Sequence, residues 1–168
     1  FLVVIFISFA KNIEEIEDMT INIEERLSLN GDIKKSEYIL QYIKPDFIRK
    51  VILSPELNKG EIYIYDSKKK VMYLPLFDQV SEEILNEEED STLEAINYIL
   101  KEKKEFKEGK INLKDGLIIE LKKLKKFSEY TLPEIIIIYD GNVKVGELKI
   151  KNYKINSKLN KEELSLHD

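Results

Sequence analysis

Few side chains in this 168-residue chain could carry covalent or acid–base chemistry. It has no Cys and no Trp, and its one His stands in the C-terminal dipeptide His167-Asp168. Thiol catalysis, disulfides, Cys/His zinc sites and a Ser-His-Asp triad in the body of the chain each lack an essential part. Carboxylate chemistry remains. A hydrolase working with an acid and a base needs a carboxyl group set in apolar sequence, where burial raises its affinity for a proton. The nearest candidates are Glu120 and Glu134, and both read as solvated strand-edge positions. Residues Glu82 to Asp90 include six acids, but a calcium loop alternates its ligands and needs a turn Gly, and this run has neither. The expectation is therefore no catalytic residue, no metal and no cofactor.

Charge and hydropathy narrow the alternatives. With 27 Lys+Arg against 32 Asp+Glu the net charge is -5, which provides no electrostatic footprint for a phosphate backbone, so nucleic acid is excluded as a partner. The Lys-rich stretch Lys101 to Lys126 is interleaved with Glu and lacks regularly spaced stacking aromatics, as a solvated face would. At 43% hydrophobic and 35% charged the composition is globular. The first ten residues, FLVVIFISFA, are uncharged and too short to span a bilayer. Ser8 and Ala10 give the small-x-small pattern that signal peptidase accepts, so we expect a signal peptide remnant over 1–10 with cleavage after Ala10. A buried first strand is the alternative. Residues 11–168 are then a single exported domain, expected to be soluble in the space beyond the inner membrane.

The elements that must position any site are mostly strands. Asn12-x-x-Glu15 opens a short helix with Ile13, Ile16 and Met19 on one face. Thr20 to Asn30 alternates, with Ile21, Ile23, Leu27 and Leu29 on one side and Asn22, Glu24, Arg26 and Ser28 on the other. Asn30-Gly31 turns it into a second strand over 33–44. Strands follow at 47–53, 61–65 and 71–74, bounded by Ser54-Pro55, Lys59-Gly60, the turn 66–70 and Pro75. Connections this short force antiparallel neighbours. Between Gln79 and Lys107 the strands pause, and the capping box Ser91-x-x-Glu94 opens a helix with Leu93, Ile96, Ile99 and Leu100 on one face. Strands resume near Ile111, with turns at Asp115-Gly116 and Asp140-Gly141. Within 143–155 the apolar parity slips at Gly146 and near Asn152, the mark of bulges that bend a sheet. The fold class is α+β: a curved antiparallel sheet of about ten strands with two to three helices packed on it, where either the helices cover one face with a lumen behind the other or two sheets meet.

Residues 38–80, YILQYIKPDFIRKVILSPELNKGEIYIYDSKKKVMYLPLFDQV, resemble the core of the outer-membrane lipoprotein carrier (LolA) family. The matching elements, in order, are Lys44-Pro45-Asp46, Ile48-Arg49, Ser54-Pro55, Asp66-Ser67 and Tyr73-Leu74-Pro75. The Ser91 helix and the later Asp-Gly hairpins fall where the family has its lid helix and back-strand turns. The resemblance covers about residues 12–156 and includes no catalytic signature. It implies a strongly curved antiparallel sheet forming an incomplete β-barrel whose lumen two to three helices cover, and a non-enzymatic, monomeric periplasmic carrier whose apolar cavity holds the acyl chains of lipoproteins or a similar lipid. It also implies an inner-membrane ABC-type lipoprotein-releasing complex that loads the carrier and an acceptor at the outer membrane. On this resemblance Ile48, Ile52, Ile62, Ile64 and Met72 line the cavity, and Leu93, Ile96 and Leu100 belong to the lid. Lys44 stands where the best-known members have an Arg that ties the lid to the barrel. The same side chains could instead pack an ordinary core, and a periplasmic sensor of lipoprotein or envelope-stress signals built on this fold is the alternative function.

Overall fold

The structure is a computed structural model that describes residues 12–29, 31–67, 69–84, 91–101 and 105–166. The expected signal segment 1–10 and residues 85–90 of the acidic run lie outside the described residues. The strands are β1 (Asp18–Leu29), β2 (Asp32–Ile43), β3 (Phe47–Ser54), β4 (Ile62–Asp66), β5 (Lys69–Leu74), β6 (Gln79–Ile84), β7 (Gly109–Asn112), β8 (Leu117–Phe127), β9 (Tyr130–Asp140) and β10 (Val143–Ile155). Helix α1 (Ser91–Lys101) lies between β6 and β7 in the chain, and the one-turn helix α2 (Lys161–Leu164) follows β10. The ten strands form one antiparallel sheet in the order β6-β5-β4-β3-β2-β1-β10-β9-β8-β7.

This order dictates where α1 goes. β6 and β7 are the two edges of the sheet, so the connection between them must cross a whole face, and α1 lies in that connection. Its apolar stripe of Ala95, Ile96, Ile99 and Leu100 is buried in the same core as Leu132, Ile136 and Ile138 of β9. We call this covered side the inner face. Period-two alternation supplies the rest of it: Met19, Ile21 and Ile23 on β1, Tyr38, Leu40 and Tyr42 on β2, Ile48 and Ile52 on β3, and Leu148 and Ile150 on β10.

The bulges expected in β10 are present. Register shifts between Lys144 and Gly146, and opposite Asn22/Ile23 at Asn152/Ile150, mark the two parity slips, and a third occurs between Glu37 and Tyr38. Gly146 is required by close approach, because a Cβ there would stand 3.0 Å from Leu27 Cδ2 and 3.4 Å from Ile138 Cδ1. The bulges bend strands locally without joining β6 to β7, and the sheet is not strongly curled. The ten antiparallel strands thus stand as expected, whereas the strong curvature does not.

Three further differences have local causes. The expected N-terminal helix is only a 3-10 turn, Ile13–Glu15, with the Asn12 side chain accepting from Glu14 N, and Met19 belongs to β1. The strands do not pause at Gln79: β6 continues to Ile84 and includes Glu82 and Glu83, with which Lys69 and Lys70 of β5 pair at 2.7 and 3.7 Å. The tail beyond β10 is anchored by Asp18, which accepts from Ser157 N and Lys158 N at 2.8 and 2.9 Å. It runs over the outer face, where Lys161 Nζ meets Asp66 at 2.8 Å and lies 5.6 Å from the Phe47 ring centroid. α2 therefore does not cover the inner face.

Candidate functional site

On the inner face the sheet changes character between β3 and β6. The rung Leu40–Lys50–Tyr63–Met72–Ser81 crosses β2 to β6, and Tyr42–Ile48–Tyr65–Lys70–Glu83 runs beside it. Leu40, Tyr42 and Ile48 are fully buried, whereas Tyr63, Tyr65 and Met72 are half-buried. Tyr63 and Tyr65 pack against the edge of the core, as do Leu93 and Tyr98 of α1. The result is a shelf of aromatic and thioether surface at the margin of a closed core.

Polar groups rim this shelf. The Tyr63 hydroxyl donates to Glu61 Oε2 at 2.6 Å, and burial together with that carboxylate pushes the phenol well above its usual range. Lys50 Nζ lies 4.1 Å from the centroid of the Tyr38 ring, and Lys70 Nζ 6.0 Å from that of Tyr63. Tyr63 is thus a neutral aromatic surface throughout the physiological range.

The structure divides the residues expected to line a cavity. Ile48 and Ile52 are buried on the inner face, Met72 is half-buried on the same side, and Ile96 and Leu100 are buried on α1 with Leu93 partly buried beside them. Ile62 and Ile64 do not join them. Val51 pairs with Ile62 at the end of the β3–β4 ladder, so even-numbered β3 residues meet odd-numbered β4 residues and the tyrosines take the inner side. Ile64 is instead buried on the outer face, flanked by Arg49 and Val71. There Arg49 Nη1 donates to Gln41 Oε1 at 2.7 Å, and burial holds the guanidinium below its usual pKa.

Lys44 also falls elsewhere than expected. Its Nζ donates to the Glu14 carbonyl at 2.8 Å and stands 3.4 Å from Glu17 Oε1, and its backbone N–H bonds to Glu17 O. Lys44 follows β2, directly beside the segment that enters β1, so its nearest acceptors are there and not on α1. It restrains the N-terminal turn that buries Ile13 and Ile16. The two carboxylates considered for hydrolysis are held apart in ordinary surface pairs, Glu120 with Lys122 at 3.4 Å and Glu134 with Lys125 at 3.8 Å. The Tyr139 hydroxyl donates to Glu120 at 2.7 Å and lowers its pKa, the opposite of what a general acid needs.

Sequence reasoning passed over Lys50, Tyr63 and Tyr65, and it passed over Glu25. Glu25 lies in parity with Ile23 and Leu27, is 5% exposed, and accepts from Ser36 Oγ at 2.8 Å and from the Tyr38 hydroxyl at 3.4 Å. Its signal was present as a carboxylate interrupting an apolar alternation.

No family model and no curated protein matches the sequence. Solved structures do match the fold. A LolA superfamily protein of Nitrosomonas europaea superposes with a TM-score of 0.65 at 9% identity, over 90% of this chain and 91% of that one. A DUF1329 family protein of Desulfovibrio piger gives 0.62 at 10% identity, over 91% and 93%. A domain of Vibrio parahaemolyticus named for outer membrane lipoprotein sorting gives 0.60 at 9% identity, over 88% and 89%. The chain therefore has the LolA-like fold.

Proposed function

We propose that this protein is a non-enzymatic carrier that takes the acyl chains of a lipoprotein, or of a similar lipid, onto the inner face of its sheet. The observation that carries the reading is the half-buried shelf of Tyr63, Tyr65 and Met72 beside the core that α1 covers. Apolar side chains left half-open next to a closed core are surface that a hydrophobic ligand can finish burying. Each methylene transferred from water onto it is worth about 0.8 kcal/mol. Ile48 and Ile52 form the floor, Met72 lies on the shelf, and Leu93, Ile96 and Leu100 supply the covering helix.

The LolA-like fold supports a place in the periplasm, with an inner-membrane ABC-type complex loading the carrier and an outer-membrane acceptor unloading it. Among the described residues no helix is long and apolar enough to cross a membrane. Native mass spectrometry of protein exported into the periplasm of a two-membrane host tests the proposal. A copurified acylated peptide or phospholipid, released on mild denaturation, is the expected result. A clean apo mass together with no binding of an apolar fluorescent probe would overturn it and favour the regulatory or sensor reading of the same fold.

A further inference from the structure

We infer that the rim of the sheet opposite the Lys44 turn docks on a lipid bilayer, and that acyl chains reach the shelf through it. The inference rests on the carrier reading and adds a place of entry to it. Strand pairing sets the connections β1–β2, β3–β4, β5–β6, β7–β8 and β9–β10 along one rim. Among the described residues, every exposed large apolar side chain except Ile84 lies there. Ile33 follows the first turn, Leu53 and Leu57 flank Pro55, Leu76 and Phe77 lie in the β5–β6 turn with Val80 just beyond, and Val143 opens β10. Leu57, Leu76 and Phe77 are 75%, 68% and 64% exposed.

The turns hold these side chains out and satisfy their own backbone. Phe77 N donates to Leu74 O at 3.1 Å and Asp78 N to Pro75 O at 3.2 Å. In the β3–β4 connection Asn58 N donates to Pro55 O at 3.0 Å and Gly60 N to Ile52 O at 2.9 Å. Pro55 and Pro75 have no N–H to satisfy. Donors already paired within a turn can enter an apolar phase without giving up a bond to water, which is the condition a bilayer imposes. The two turns also meet: a Cβ on Gly60 would lie 3.4 Å from Pro75 Cγ, so Leu57 and the Leu76-Phe77 pair stand on adjoining turns.

A bilayer suits this rim better than a protein surface does. Successive hairpins are two strands apart, about 10 Å, so the apolar tips stand as separate projections and not as one flat patch. A fluid interface closes around each of them without matching relief. Charge selects the kind of bilayer. Lys34, Lys35, Lys59, Lys114 and Lys144 stand against Asp32, Glu56, Glu61, Asp78, Asp115 and Asp140, a near balance that offers no pull toward anionic headgroups. Leu74 shares the inner face with Met72 by alternation. A chain leaving the bilayer at the Leu76-Phe77 turn therefore meets Leu74 first, then Met72 and its partner Tyr63.

Flotation with phosphatidylcholine vesicles, on the full chain and on Leu76→Ser/Phe77→Ser, tests the inference. The wild type should float with the vesicles from about 0.1 to 1 M sodium chloride, because apolar contact is not screened. The double variant should lose affinity about tenfold or more, and Ile84→Ser, at the other rim, should float like the wild type. Both variants should still bind an apolar fluorescent probe in solution without vesicles, where no docking is needed. No flotation of the wild type, flotation that survives the double substitution or falls equally with Ile84→Ser, or flotation only with anionic lipid would overturn the inference and leave the carrier reading intact. A concentration-dependent dimer abolished by the same double substitution, with no flotation, would assign the rim to a second copy and also overturn it. Wild-type protein that floats yet binds no probe would overturn the carrier reading and with it the path to the shelf, leaving the docking in place. Should the double variant fail to fold, Leu57→Ser on the adjoining turn must weaken flotation; unchanged flotation there would count against the rim.

Discussion

The strands at the two ends of the sheet have similar proportions of apolar residues and use them differently. Across β8 to β10, under α1, Ile119, Ile138 and Leu148 are 0% exposed, and Ile136 and Leu121 nearly so. Across β4 to β6, Tyr63, Tyr65 and Met72 remain half-buried in strands of only five or six residues. One end has completed its burial within the chain and supplies stability. The other has apolar surface still to bury, which is what a carrier needs, because a ligand must be released as well as held.

Substitutions should separate these roles. Ile138→Ala, in the closed end, should cost about 2–5 kcal/mol in urea unfolding, from lost transfer energy plus an unrelaxed cavity. Gly146→Ala tests the same end from the opposite side, since its added methyl meets Leu27 at 3.0 Å; the loss should be about 1–3 kcal/mol by the same assay. On the shelf, Met72→Gln keeps volume and removes apolar character. Affinity for an apolar fluorescent probe should fall by roughly tenfold while stability moves by less than about 1 kcal/mol. A large stability loss with unchanged probe binding would make the shelf an ordinary piece of core.

The smallest effect is electrostatic and belongs to the sheet surface. A hydrogen bond from Arg26 lowers the pKa of Glu24, one from Tyr139 lowers that of Glu120, and one from Lys144 lowers that of Glu147. Groups whose folded-state pKa is depressed add stability above the usual carboxylate value of 4.5 and lose it as pH falls through the folded value. The melting temperature should therefore be flat above that pH and decline modestly below it. An unchanged melting temperature down to pH 3 would remove these pairs from the account.

Alternation and turn residues made most of this fold legible, but they could not say which side of a strand faces inward. The parity slips at Gly146 and Asn152 located two bulges because each leaves a mark in the apolar pattern of β10 itself. β6 was hidden because the lysines that neutralise Glu82 and Glu83 belong to a neighbouring strand, so locally the run looks like a solvated loop. Alternation separates Ile62 and Ile64 from Tyr63 and Tyr65 without saying which pair faces inward, and that is decided by the length of the connection from Val51 to Ile62. Curvature was overestimated for a related reason: bulges mark local bends, and whether bends sum to closure depends on the edges, which no local pattern reveals.

Photocrosslinking with a benzophenone-bearing fatty acid tests the central claim most directly, because β4 and β5 carry apolar residues on both faces. Label is expected on Tyr63, Tyr65 and Met72, which face α1's side of the sheet, and none on Ile62, Ile64 or Val71 behind them. Label on the outer set, or equal label on both, would contradict an inner-face carrier.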